Sequence, residues 1–178
     1  MKNYLLFIFL VFSQLSFSQI INVLPKDENG KIIFTRIIDS NNLNKEQTFT
    51  KTKLFFVNTF NSAKDVIQLD DKENGIVMGK GSANINIQSG KFSIPISMSF
   101  TIKIESKDGK CRLEVSNIIY NNESPAENFF NDVMEEKYSK ANEKGKIVME
   151  NYRDKTIEKI DFLESKIKEE FYKKEQSW

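Results

Sequence analysis

From Phe92 to Glu105 apolar and polar residues alternate without a break. Phe92, Ile94, Ile96, Met98, Phe100, Ile102 and Ile104 are interleaved with Ser93, Pro95, Ser97, Ser99, Thr101, Lys103 and Glu105. Successive side chains on a strand point to opposite faces, so this run reads as a strand with one greasy and one wet face. That pattern belongs to an antiparallel sheet covered on one side only. The run is far longer than the usual ~5–6 residues of a strand, so it is expected to bend or to divide its pairing between two neighbours. Pro95 has no N–H to donate and predicts an edge or a bulge at its position.

The stretch before it repeats the alternation. Val77, Gly79, Gly81, Ala83, Ile85 and Ile87 share one phase of a strand from Ile76 to Gln88, and Asn84, Asn86 and Gln88 the other. Two glycines and an alanine on the inner phase leave room for a helix to approach or let the strand coil. Gln88 to Lys91 reads as a hairpin turn, and Asp70 to Gly75 as another, with Asn74-Gly75 supplying left-handed conformations. Val66 to Leu69 is a short strand ahead of it. Lys31 to Asp39 reads as the first strand, and its apolar residues on both phases (Ile32 and Phe34; Ile33 and Ile37) predict burial on more than one side. Lys110 to Asn121 is the last strand. Its apolar phase switches from Leu113 and Val115 to Ile118 and Tyr120, which places a β-bulge near Ser116-Asn117.

Between the first two strands, Asn44 with Gln47 forms a capping-box pattern that opens a helix. Phe49, Lys53, Phe56, Val57 and Phe60 are read as its sheet-facing stripe. Beyond Asn121 the composition becomes highly charged. Phe129, Phe130, Val133, Met134 and Tyr138 are placed on one helix, interrupted at Asn142 to Gly145. A second helix runs from about Lys146 or Asp154 to Lys173, with Ile157, Ile160, Leu163, Ile167 and Phe171 at spacings of three and four. The stripe suits packing on the sheet; the alternative is a coiled-coil partner surface, for which about two heptads fall short of the three to four that argue a coiled coil.

The fold class that follows is α+β: a curved antiparallel sheet of about five strands with helices on one face. Several segments carry a resemblance as well. Leu24-Pro25, Gly30-Lys31-Ile32, Asp65 to Asp71, Gly79-Lys80-Gly81 and Ile104 to Lys110 occur in an order that resembles a domain-of-unknown-function family of secreted bacterial proteins. That family is described as having a TATA-binding-protein-like fold. The resemblance spans Leu24 to Tyr120 and implies a strand-helix-strands order with a further helix. It carries no agreed activity, so it assigns no functional residue.

The N-terminus has a basic start, an apolar run from Tyr4 to Phe12, and small residues at Ser16 and Ser18. This is the pattern of a secretory signal cut after Ser18. The division expected is a signal over 1–18, an α+β domain over 19–122 and a charged helical segment over 123–178. The destination expected is the periplasm, the cell surface or the outside.

The 178 residues include no histidine. This removes histidine general bases, Ser-His-Asp and Cys-His triads, and histidine zinc sites. The single cysteine, Cys111, allows no internal disulfide and falls in phase with Leu113 and Val115, so it reads as a buried, inert thiol. A net charge of +1 offers no basic excess for nucleic acid or anionic lipid. Lys72 interrupts the ligand spacing that a calcium loop at Asp70, Asp71 and Glu73 would need. Gly79-Lys80-Gly81 lies inside a strand and lacks the spacing of a phosphate loop. No cofactor, metal or catalytic residue is predicted.

The surface that stands out is the wet sheet face. Asn84, Asn86, Gln88, Ser93, Ser97, Ser99 and Thr101 would form an uncharged lawn of amides and hydroxyls able to hydrogen-bond a sugar or a protein. The plainer reading of this lawn is a solvated sheet face; the functional expectation set beside it is an exported, non-catalytic envelope protein that binds a ligand or protein partner. The alternative is a carboxylate-dependent hydrolase, with two acids converging between sheet and helices.

Overall fold

The computed structural model describes residues 24–60, 66–121, 124–126 and 140–173. The expected signal segment and the helix placed on Phe129 to Tyr138 lie outside them. The described elements run β1 (Ile33–Asp39), α1 (Lys45–Thr59), β2 (Ile67–Asp71), β3 (Ile76–Ser89), β4 (Phe92–Lys107), β5 (Lys110–Tyr120), β6 (Ser124–Pro125) and α2 (Glu143–Tyr172). The strands form an antiparallel sheet in the order β1-β5-β4-β3-β2, and the two-residue β6 pairs with β5 beyond the end of β1.

The long alternating run is the central strand β4. Ile96, Met98, Phe100, Ile102 and Ile104 are buried, while Phe92 and Ile94 stay exposed near the hairpin tip. As expected, β4 divides its pairing. It pairs with β3 from Phe92 to Glu105 but with β5 only between Met98 and Lys107. Pro95 therefore lies opposite Asn86 on β3 and beyond the last β5 partner. Its missing N–H falls on a side with no strand to receive it among the described residues.

The glycines of β3 admit α1. A Cβ on Gly79 would stand 2.9 Å from the Phe56 ring, and one on Gly81 would stand 2.8 Å from the Phe60 ring. Backbone thus lies directly under aromatic side chains. The capping box is present in both halves: the Asn44 side chain accepts from Gln47 N, and the Gln47 side chain accepts from Asn44 N. The β4–β5 turn joins in, since Asp108 Oδ1 accepts from Lys45 N at 2.7 Å. The buried face of α1 is Thr48, Phe49, Thr52, Phe55 and Phe56. Val57, placed on that stripe from its spacing, is 54% exposed, and Phe55 takes the interior position instead.

The bulge falls where the phase change put it. Thr101 pairs Ser116 and Ser99 pairs Ile119, so β5 carries one residue more than β4 between these pairs. The extra residue is accommodated by Asn117 at φ 50°, a conformation that asparagine tolerates better than most residues. In the β2–β3 turn only Gly75 takes a positive φ. Asn74 instead bonds back to Asp71 through its backbone N–H and its side chain. β1 also differs from expectation. Ile32, Phe34 and Ile38 are buried, but Ile37 is 63% exposed, because one face of the sheet is left open along β1 as elsewhere.

α2 begins at Glu143, with Asn142 as N-cap accepting from Gly145 N. The Asn142–Gly145 stretch thus starts a helix, and Gly145 sits in its first turn, where its N–H is capped. Ile160, Leu163, Ile167 and Phe171 join the core beneath the sheet. The Tyr120 hydroxyl lies 2.6 Å from Thr156 Oγ1, tying β5 to α2. Glu170, almost fully buried, accepts from Asn58 Nδ2 of α1 at 2.9 Å and pairs with Lys173. The two described helices are thereby fastened to each other as well as to the sheet.

Candidate functional site

With both described helices on one face, the outer face of the sheet divides into two chemically distinct halves. Toward the β4–β5 turn stand Lys103, Glu105, Lys107, Arg112 and Glu114. They neutralise one another: Lys103 pairs Glu114, Lys107 and Arg112 pair Glu105, and Arg112 also reaches Glu114. Lys107, with Arg112 behind it, holds the Glu105 carboxyl below its ordinary pKa. These groups are committed to each other.

Toward the β3–β4 hairpin the face carries no charge. Register places Asn84 opposite Ser97 and Gln88 opposite Ser93, with Asn86 opposite Pro95. Asn84, Asn86, Gln88 and Ser93 are exposed, and Ser97 and Ser99 half-buried. Ser99 faces Ser82, an exposed residue that the sequence reading passed over. Ser82 was within reach of the same reasoning, since it is the next even position before Asn84. Thr101 belongs to the boundary: its cross-strand neighbour is Lys80, and Asn117 Nδ2 donates to its hydroxyl at 3.3 Å. The side chains of Asn84, Asn86, Gln88, Ser97 and Ser99 make no hydrogen bond with another described group, so their donors and acceptors face solvent.

At the β3 margin this surface runs into a groove of about 220 Å³ between the strand and α2. It is lined by Asn84, Ile85, Asn86, Lys155, Glu158, Lys159 and Phe162. Lys155 is paired with Glu158, and the Lys159 ammonium lies 4.5 Å from the Phe162 ring centre. No local pattern in the chain signals this juxtaposition, because it depends on how α2 crosses the sheet.

The other candidates resolve into structural roles. Cys111 is buried on the inner face, and burial pushes its thiol pKa up to about 12, away from nucleophilic use. Asp70 pairs with Lys53, and Asp71 receives both bonds from Asn74. No group of three or more metal-ligating side chains is found among the described residues. The acids between sheet and helices are also engaged: Asp161 and Glu164 with Arg36, Glu170 with Lys173 and Asn58. Where a described carboxyl departs clearly from its ordinary pKa, it is lowered, at Glu46, Asp71, Glu105 and Glu169. A general acid would need the opposite shift. No described helix is long and apolar enough to cross a membrane.

A curved antiparallel sheet with helices on one face and an open second face defines the TATA-binding-protein-like class of α+β folds. Through residues 34–121 the chain belongs to the family described as "Domain of unknown function (DUF4468) with TBP-like fold". Two solved structures share the architecture. A DUF4468 family protein from Bacteroides ovatus superposes with a TM-score of 0.67 at 17% identity, covering 89% of this chain and 95% of that one. A TBP-like protein from Parabacteroides distasonis gives a TM-score of 0.58 at 13% identity, covering 84% and 97%. At such identities the likeness concerns the fold alone. No curated protein matches the chain in sequence.

Proposed function

We propose that this is an exported, non-catalytic binding protein of the cell envelope, and that its ligand is a neutral, hydroxyl-rich chain held on the uncharged half of the outer sheet face. The observation that carries the reading is the contrast between the two halves. The charged half is internally paired, whereas Asn84, Asn86, Gln88, Ser97 and Ser99 leave their polar groups to solvent. Uncharged amides and hydroxyls suit a ligand that both donates and accepts hydrogen bonds without net charge. A glycan fits better than a protein partner, because the centre of a protein interface is enriched in aromatic residues and this patch has none. Export rests on the basic and apolar N-terminus, and predicts a mature chain beginning at Gln19 in the envelope or medium. The carboxylate-hydrolase alternative finds no raised, converging pair among the described acids.

The test is retention on immobilised neutral polysaccharides and on cell-wall glycan. The double variant Asn86→Lys, Ser97→Lys puts two charges on the patch without touching the core. Retention reduced at least about tenfold in the variant is the expected result, since each buried, unpaired polar group costs ~1–3 kcal/mol. Equal retention of the two proteins rules the patch out as the site, and no retention of either rules out the glycan.

A further inference from the structure

Asn84 and Asn86 serve two surfaces at once. Beyond Gly79 the margin of β3 has no strand beside it among the described residues. The two-residue turn Gly90-Lys91 closes on the pair Ser89–Phe92, and such a turn closes on a hydrogen-bonded pair. Antiparallel alternation then directs the backbone groups of odd-numbered β3 residues toward β4 and those of even-numbered residues outward. Gln88 N obeys this phase and meets Asn151 Oδ1 of α2, at a long 3.5 Å. From that contact α2 runs back along the margin, and the groove opens between it and Asn84 to Asn86. The backbone N–H and C=O of Asn84 and Asn86 therefore face the groove, and no described group receives them. Their side-chain amides belong to the uncharged patch, so patch and groove are continuous through these two residues.

The opposite wall has different chemistry. Phe162, 43% exposed, supplies the aromatic surface that the patch lacks. Lys155 and Glu158 neutralise each other, and Lys159 reaches the Phe162 ring rather than a described carboxylate. The groove's 220 Å³ is below the ~300–1,000 Å³ of pockets that hold drug-sized ligands, so it has room for one ring and not for a chain segment. An extended peptide would need an open row of backbone groups, and Asn151 ends this row at Gln88. We propose that the groove holds one pyranose ring of the neutral glycan bound on the patch, with its C–H face laid on Phe162 and its hydroxyls on the Asn84 and Asn86 backbone. A pyranose has an apolar C–H face and a rim of hydroxyls that both donate and accept. The Phe162 ring matches the first, and backbone N–H and C=O groups side by side match the second. Lys159, an ammonium on a flexible stem, swings off the ring to admit the sugar. This inference rests on the glycan reading and adds a path and an anchor to it. The chain crosses the strands from Ser97 and Ser99 over Asn84 and Asn86, and ends against α2 at Phe162.

The test uses the full mature chain and soluble neutral glucans, mannans and galactans, with acidic polysaccharides as the contrast. Phe162→Ala removes the platform at an exposed helix position, where alanine favours the helix. Its retention on the neutral polysaccharide should fall at least about tenfold, as when an anchoring aromatic is truncated, while Phe162→Trp should keep it. Trp178 is the only native tryptophan, so Phe162→Trp combined with Trp178→Phe places the sole indole in the groove. Its emission should shift to the blue and saturate as the neutral sugar is added. If Asn86→Lys, Ser97→Lys lowers retention but Phe162→Ala does not and the indole stays silent, the groove proposal is overturned and the patch reading stands. If the wild type is retained on no neutral polysaccharide and the indole is silent, both are overturned. Binding confined to acidic polysaccharides also overturns the proposal, because Lys155 and Lys159 would then carry the recognition.

Discussion

Cys111 sits on the inner face of β5, opposite Ser106 of β4, and is 1% exposed. Burial disfavours its thiolate and raises its pKa from 9.0 to about 12. Between those values the folded protein holds a proton that the unfolded chain has released. The thiol's contribution to stability is therefore complete below pH 9 and is lost progressively as pH rises toward 12. Urea melts of the wild type and Cys111→Ala should accordingly show a gap that narrows with rising pH above 9. A gap that stays constant would mean the thiol is not desolvated. Two inner hydroxyls, on Thr52 and Ser106, are buried without a partner among the described residues.

At the level of elements, α1 depends on a shared N-terminus. Its first N–H groups are satisfied by Asn44 from its own chain end and by Asp108 from the distant β4–β5 turn. Helix starts left uncapped typically cost ~1 kcal/mol. Asn44→Ala should lower the unfolding free energy by about 1 kcal/mol, measured by denaturant melts. A Ser substitution at the same position should recover most of it, since serine caps nearly as well. Failure of serine to recover it would assign the loss to something other than the cap. The bulge at Asn117 and the long β3–β4 hairpin are likewise local devices: one re-phases β5 so that Ile118 and Tyr120 return to the core, the other presents the uncharged patch opposite the buried Ile85, Ile87 and Ile96.

For the whole molecule, the region of family likeness, 34–121, is smaller than the unit that buries the core. Ile160, Leu163, Ile167 and Phe171 of α2 are all nearly inaccessible. Burying one such side chain is worth ~1.5–3 kcal/mol, so four amount to about 6–12 kcal/mol, comparable with the total stability of a domain. A chain ending at residue 142 should therefore lack a cooperative thermal transition by circular dichroism. A sharp transition within about 5 °C of the intact protein would show that α2 is dispensable.

The alternation of Phe92 to Ile104, the Asn44–Gln47 cap, the glycine pair at 79 and 81 and the phase change at Ser116-Asn117 were all readable from the chain. Each is a local pattern with a single physical meaning: a period of two, a cap, a missing Cβ, an added residue. What the chain could not disclose was anything set by two distant segments meeting. Phe55 rather than Val57 faces the core because of the angle at which α1 settles on the sheet. Asn84 and Asn86 border a groove because α2 passes the β3 margin. The outer face divides into paired charges and unpaired amides only once register sets Arg112 and Glu114 beside Glu105 and Lys103. Local periodicity determined which side of each strand is greasy. Tertiary packing alone decided which polar groups satisfy one another and which are left to solvent, because that depends on long-range neighbours that no short stretch of sequence encodes.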